Sequence, residues 1–102
     1  MYKIVRTEQA DFQLRQSILH IAEDSGDVEV ALRYLTKMEK AIKRLEKFPE
    51  SGSYPRLSTL KRQGYRVLML EKHIVFYKVD TEQTLVTIYA IVDSRREYVH
   101  LL

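Results

Sequence analysis

Residues 28–45, Val-Glu-Val-Ala-Leu-Arg-Tyr-Leu-Thr-Lys-Met-Glu-Lys-Ala-Ile-Lys-Arg-Leu, decide how the rest of the chain is read. Val28, Ala31, Leu35, Met38, Ile42 and Leu45 recur at alternating three- and four-residue intervals, with Leu32 widening the stripe. That period belongs to an amphipathic helix with one face buried. Lys37, Lys40, Lys43, Arg44 and Lys47 mostly take the other faces, with Glu39 and Glu46 between them.

Upstream, Ser25-Gly26-Asp27 separates this helix from an earlier one. Gly26 suits a left-handed helix end and Asp27 the next N-cap. The earlier helix is expected over about residues 8–24. Phe12, Leu14, Ile18, Leu19, Ile21 and Ala22 form its apolar face, Thr7 is its N-cap, and Glu8 and Asp11 face the helix dipole. So short a connection makes the two helices antiparallel neighbours. Before them, Tyr2 to Arg6 reads as a short strand.

Downstream, Phe48-Pro49-Glu50-Ser51-Gly52-Ser53-Tyr54-Pro55 stops the helix, and Arg56 to Gly64 reads as a basic loop. Three strands follow, Tyr65–Leu70, His73–Val79 and Thr84–Val92, joined by turns short enough for antiparallel hairpins. In the last of these, strict alternation sets Val86, Ile88, Ala90 and Val92 on one face and Leu85, Thr87, Tyr89 and Ile91 on the other. Both faces are largely apolar. The helices can cover one, so the other is expected to meet a partner. The fold class is therefore α+β: an N-terminal strand, an antiparallel two-helix hairpin, and a three-stranded antiparallel meander completing a four-stranded sheet. Residues 1–102 are expected to form a single domain, since a chain of this length builds one core.

The chain has no cysteine, which excludes disulfides, thiolate metal sites and a cysteine nucleophile and fits a reducing compartment. With no long apolar window, a cytoplasmic location without membrane contact is expected. The net charge is +3. Residues 1–50 hold nine Lys/Arg and nine Asp/Glu, whereas residues 51–102 hold eight against five, so the excess falls in the second half. A basic surface there suits phosphate or an acidic protein.

His20, His73 and His100 lie on different elements without paired-ligand spacing, so no metal and no cofactor are expected. No phosphate-binding glycine loop or nucleophile elbow is present. What remains is a set of cations: Lys61 and Arg62 before the sheet, Arg66 on its first meander strand, and Arg95-Arg96 after its last, with Tyr98 and His100 beyond. Arg66 and Arg95 are expected at the same end of the meander, where they could bind a phosphate or a transition-state charge. The plainer alternative pairs Arg66 with Asp93 or Glu97. His73 reads as an edge hydrogen-bonding residue.

The order of these pieces resembles the RelE/ParE superfamily, the toxins of bacterial type II toxin–antitoxin systems. The likeness rests on Leu45-Glu46-Lys47-Phe48-Pro49, Gly64-Tyr65-Arg66-Val67-Leu68, His73-Ile74-Val75-Phe76-Tyr77-Lys78-Val79 and Ile88-Tyr89-Ala90-Ile91-Val92-Asp93-Ser94-Arg95-Arg96, and spans nearly the whole chain. It implies a helical hairpin on an antiparallel sheet and a cognate antitoxin, with promoter DNA contacted only through that antitoxin. It also implies one of two targets, DNA gyrase or the ribosome and its mRNA.

If the chain is a ribonuclease, the resemblance makes Arg66, Arg95, Tyr98 and His100 its catalytic residues. Otherwise Lys61, Arg62, Arg66, Arg95 and Arg96 would bind the target. Leu68 and Ile74 stand where RelE-like ribonucleases tend to carry further basic residues, and Glu97 where a related branch carries histidine. The expectation therefore leans to a ParE-like, gyrase-inhibiting toxin. The alternatives are a metal-independent, RelE-like endoribonuclease and a non-toxic binding module of the same fold.

Overall fold

The computed structural model describes residues 1–95. In chain order the elements are β1 (Lys3–Arg6), α1 (Glu8–Ser25), α2 (Val28–Lys43) with a 3-10 turn at Arg44–Glu46, α3 (Ser58–Arg62), β2 (Arg66–Met69), β3 (His73–Asp80) and β4 (Leu85–Asp93). The helix ends have the chemistry the sequence predicts. The Thr7 hydroxyl accepts from the Ala10 N–H, and the Asp27 carboxylate accepts from the Glu29 N–H, satisfying donors that have no partner in the first turn. Gly26 has φ 67° and donates to the Ala22 carbonyl.

The four strands form one sheet in the order β1-β4-β3-β2. The meander is antiparallel as expected, but β1 runs parallel to β4, with Lys3 opposite Leu85 and Arg6 opposite Ile88. The sheet is therefore mixed. Lys3 donates to the Thr84 carbonyl and Thr7 to the Ile88 carbonyl, so the first strand is closed by the last.

Helices α1 and α2 cover one sheet face. Leu14 and Ile21 of α1, Ala31, Tyr34, Met38 and Ile42 of α2, and Leu45 pack against Val75, Tyr77, Val86, Ile88 and Ile91. Phe12, Leu19, Val28 and Leu32, assigned above to the buried stripes, are exposed instead. Tyr34 takes up core space on α2, and Leu35 packs only partly against it.

Two expectations about the sheet faces are corrected. Phe76 pairs with Ala90 while Tyr77 pairs with Ile88, so Tyr89 is an extra residue on β4, a β-bulge. A one-residue insertion reverses the alternation beyond it. Ile91 accordingly joins Val86 and Ile88 under the helices, and Ala90 and Val92 turn to the opposite face.

That opposite face does not await a partner. Leu60, Tyr65, Val67, Ile74, Phe76, Ala90 and Val92 form a second buried cluster within the chain itself. Leu60 belongs to α3, which lies in the segment expected to be an irregular basic loop.

Candidate target-binding surface

The structure does not bring Arg66 and Arg95 together. Strands β2 and β4 of a meander run the same way, so the start of one and the end of the other lie at opposite ends of the sheet. Arg66 is opposite Tyr77, which is opposite Ile88, whereas Asp93 is opposite His73. The five steps from Ile88 to Asp93 span about 17 Å of strand.

At the Arg66 end, the guanidinium is committed to its own chain. It donates to the carbonyls of Glu50 (3.2 Å) and Gly52 (3.1 Å) and to the Tyr54 hydroxyl (3.2 Å), with the Glu50 carboxylate at 4.0 Å. It also lies 4.6 Å from the centre of the Tyr54 ring. Lys61 of α3 stands over the same ring at 4.7 Å, so Tyr54 gathers both cations. Tyr77 fixes the loop from beneath. Its buried hydroxyl accepts from the Gly52 N–H (3.0 Å) and donates to the Pro49 carbonyl (2.9 Å). Arg66 is thus a clamp on residues 49–54.

Lys78, which sequence reasoning passed over, lies 4.5 Å from the Tyr65 ring centre and 5.3 Å from that of Tyr89. The two rings meet edge to face at 5.6 Å. Alternation from Val86 and Ile88 already sets Tyr89 on this face, and the bulge adds Ala90 and Val92 to it.

At the other end, Arg95 grips Asp93 through Nε (3.2 Å) and Nη2 (3.0 Å), and its backbone N–H adds a third bond at 2.8 Å. These hydrogen bonds hold the Asp93 carboxyl down at about 2, against the small opposing effect of burial. The expected alternative, Arg66 paired with Asp93, is not formed; Asp93 has Arg95 instead. Arg96, Tyr98, His100 and Glu97 lie outside the described residues.

His73 sits beside this pair and is buried, with 6% exposure. Its Nδ1 is 2.9 Å from the Tyr34 hydroxyl, which accepts from the Lys72 N–H. The Tyr34 hydroxyl thus ties the His73 ring to the backbone at Lys72. Two adjoining cavities, of about 280 and 440 Å³, share His20, His73 and Asp93 as lining.

Burial drives the His73 pKa below 6.5; Asp93 opposes this, and Lys72, Arg95 and His20 reinforce it. With the folded value below the unfolded one, the unfolded chain binds more protons as pH falls. Stability is then complete above about 6.5 and declines as pH drops towards the folded pKa. We expect the urea midpoint to fall between pH 7 and pH 5, and the fall to be smaller in His73→Gln.

Among the described residues no three His, Cys, Asp or Glu side chains converge to hold a metal ion. None of the described helices is long and apolar enough to cross a membrane.

A family model for the ParE toxin of type II toxin–antitoxin systems, parDE, matches residues 4–98. This chain belongs to the ParE toxin family. Nine chains of known structure match it. One, from the chromosomal ParDE TA system of P. aeruginosa, superposes with a TM-score of 0.73 at 21% identity, covering 91% of this chain and 96% of that one. No curated protein sequence matches. The ParE-family match runs through both arginine ends and the whole meander, so the family resemblance and the mixed α+β fold agree.

Proposed function

We propose that this ParE-family chain is the growth-inhibiting toxin of a type II pair, neutralised by a cognate antitoxin in the cytoplasm, and that it acts by binding DNA gyrase. The observation that carries this reading is the commitment of Arg66. A ribonuclease would need its cations free and convergent on one phosphate. Here Arg66 holds two loop carbonyls and Tyr54, while Arg95 holds Asp93 at the far end of the sheet. That arrangement favours recognition by surface over chemistry. Lys61 and Arg66 on the Tyr54 ring, with Arg62 beside Lys61 in α3, are then proposed target contacts, together with Arg95 and Arg96.

Purified protein added to gyrase and relaxed plasmid is expected to block supercoiling and to accumulate a cleavage complex. Unchanged supercoiling, together with codon-phased 5′ ends in transcripts after expression, would replace this reading with the ribonuclease one. Coexpression with the adjacent reading frame is expected to restore growth and to yield a two-protein complex.

A further inference from the structure

The equal tally of charges over residues 1–50 conceals a separation of the two signs. From Glu8 to Glu29 there are six carboxylates (Glu8, Asp11, Glu23, Asp24, Asp27 and Glu29) against one cation, Arg15. From Val30 to Phe48 there are six cations against two carboxylates, Glu39 and Glu46. The anions thus belong to α1 and the helix junction, and the cations to the body of α2 and the turn after it.

On α2 the cations are also aligned. At 3.6 residues per turn, Arg33, Lys37, Lys40 and Arg44 lie within about 30° of one line along the helix. Lys47 follows Arg44 by three residues, one turn of 3-10 helix, and continues the line. The row is about 20 Å long. It lies opposite the buried side of α2, formed by Ala31, Tyr34, Met38 and Ile42, and all five residues are exposed.

None of the five is in an ion pair among the described residues. The ion pairs among the described residues use Arg6, Arg15, His20, Arg66 and Arg95. Like charges at i, i+4 destabilise a helix; Glu29 precedes Arg33 by four residues at the start of the row, and from Lys37 to Lys47 the line holds no carboxylate, which suits a polyanion. Glu39 and Glu46 fall away from the line, and Thr36 flanks it. A membrane-surface helix carries apolar residues beside its cations along its length, whereas the exposed large apolar residues of α2, Val28 and Leu32, are confined to its first turns. The buried centre of a protein interface is depleted of lysine. Phosphates, by contrast, are met by rows of Lys and Arg.

We propose that the outer face of α2 docks on the phosphate backbone of a nucleic-acid duplex, without sequence preference, through Arg33, Lys37, Lys40, Arg44 and Lys47. This chain then contacts DNA directly, which departs from the expectation that only an antitoxin does so. The proposal does not depend on the gyrase reading.

The test is fluorescence anisotropy of the full chain with a DNA duplex of about 20 bp, titrated from roughly 50 to 200 mM KCl, with no gyrase present. Five phosphate contacts give a log–log salt slope of about −4.5, a loss of about 500-fold across that range. The triple variant Lys37→Gln, Lys40→Gln, Arg44→Gln is expected to flatten the slope to about −1.8 and to weaken binding about 10-fold or more at 100 mM salt. A control triple, Lys3→Gln, Arg56→Gln, Lys72→Gln, removes the same charge from other exposed positions and should weaken binding less than about 3-fold. Thermal midpoints confirm that both variants fold. Equal losses in the two triples would mean that net charge alone binds, and a wild-type slope shallower than about −2 would mean too few phosphate contacts; either overturns the proposal. So would displacement of the duplex by polyglutamate or phosphatidylserine vesicles at lower charge concentration than by unlabelled duplex. Because gyrase is absent, failure here leaves the gyrase reading standing, and failure of supercoiling inhibition leaves this one standing.

Discussion

Gly52→Ala is expected to lower the unfolding free energy by about 2–3 kcal/mol, a large loss for a residue in a surface loop. A β-carbon at this position would meet the Tyr77 hydroxyl and stand 2.6 Å from the Val67 carbonyl oxygen. Neither can step aside. Tyr77 is wholly buried, its hydroxyl tied to Pro49 and Gly52, and Val67 exchanges two backbone hydrogen bonds with Ser53. The loop must therefore lift off the β2 edge, giving up the carbonyl that Arg66 holds and the position of Tyr54. Urea denaturation of Gly52→Ala checks the cost. Tyr77→Phe removes the hydroxyl from the clash but leaves the Gly52 N–H and Pro49 C=O without their partner, for about 1–3 kcal/mol on its own. The double variant should be more stable than the sum of the two losses predicts, because the residues touch.

Ile91→Ala is expected to cost about 2–4 kcal/mol by leaving a cavity among packed side chains. Leu85→Ala, on the same strand and in the same class by simple alternation, should cost about 1 kcal/mol or less, since Leu85 is only partly buried at the strand's start. The difference comes from the Tyr89 bulge, which turns Ile91 under α1, where it is 1% exposed and its N–H is held by the Gln13 side chain at 2.8 Å. Equal costs for the two variants would show regular alternation through β4 and no bulge.

The same residues show what the sequence could and could not reveal. The 3-4 spacing from Ala31 to Leu45 identified α2 because a helix repeats its buried face every turn, and packing depends on that repeat. Thr7, Gly26 and Asp27 marked helix ends because their chemistry is local. The bulge escaped notice because one inserted residue changes facing without changing composition, and Ile88-Tyr89-Ala90-Ile91 is apolar on either assignment. Cover for the second sheet face escaped because Leu60 is one apolar residue in a basic stretch, with no period to announce a helix.

The site was less legible than the fold. Strand direction, a property of the whole meander, separates Arg66 from Arg95. Arg66 is held by backbone carbonyls, which every sequence supplies and none advertises. Counting charge by halves of the chain hid the α2 row, since the acids that cancel it in the sum sit on a different helix.

The parallel pairing of β1 with β4 also fixes an order in time. Lys3 and Ile4 find their strand partners only at Leu85 and Val86, so the first strand made waits for the last. At roughly 5–20 residues per second of synthesis, that wait is about 4–16 s. Through that interval β1 is an unpaired edge, and the sheet cannot close on a growing chain. The sheet becomes whole only once β4 has been made.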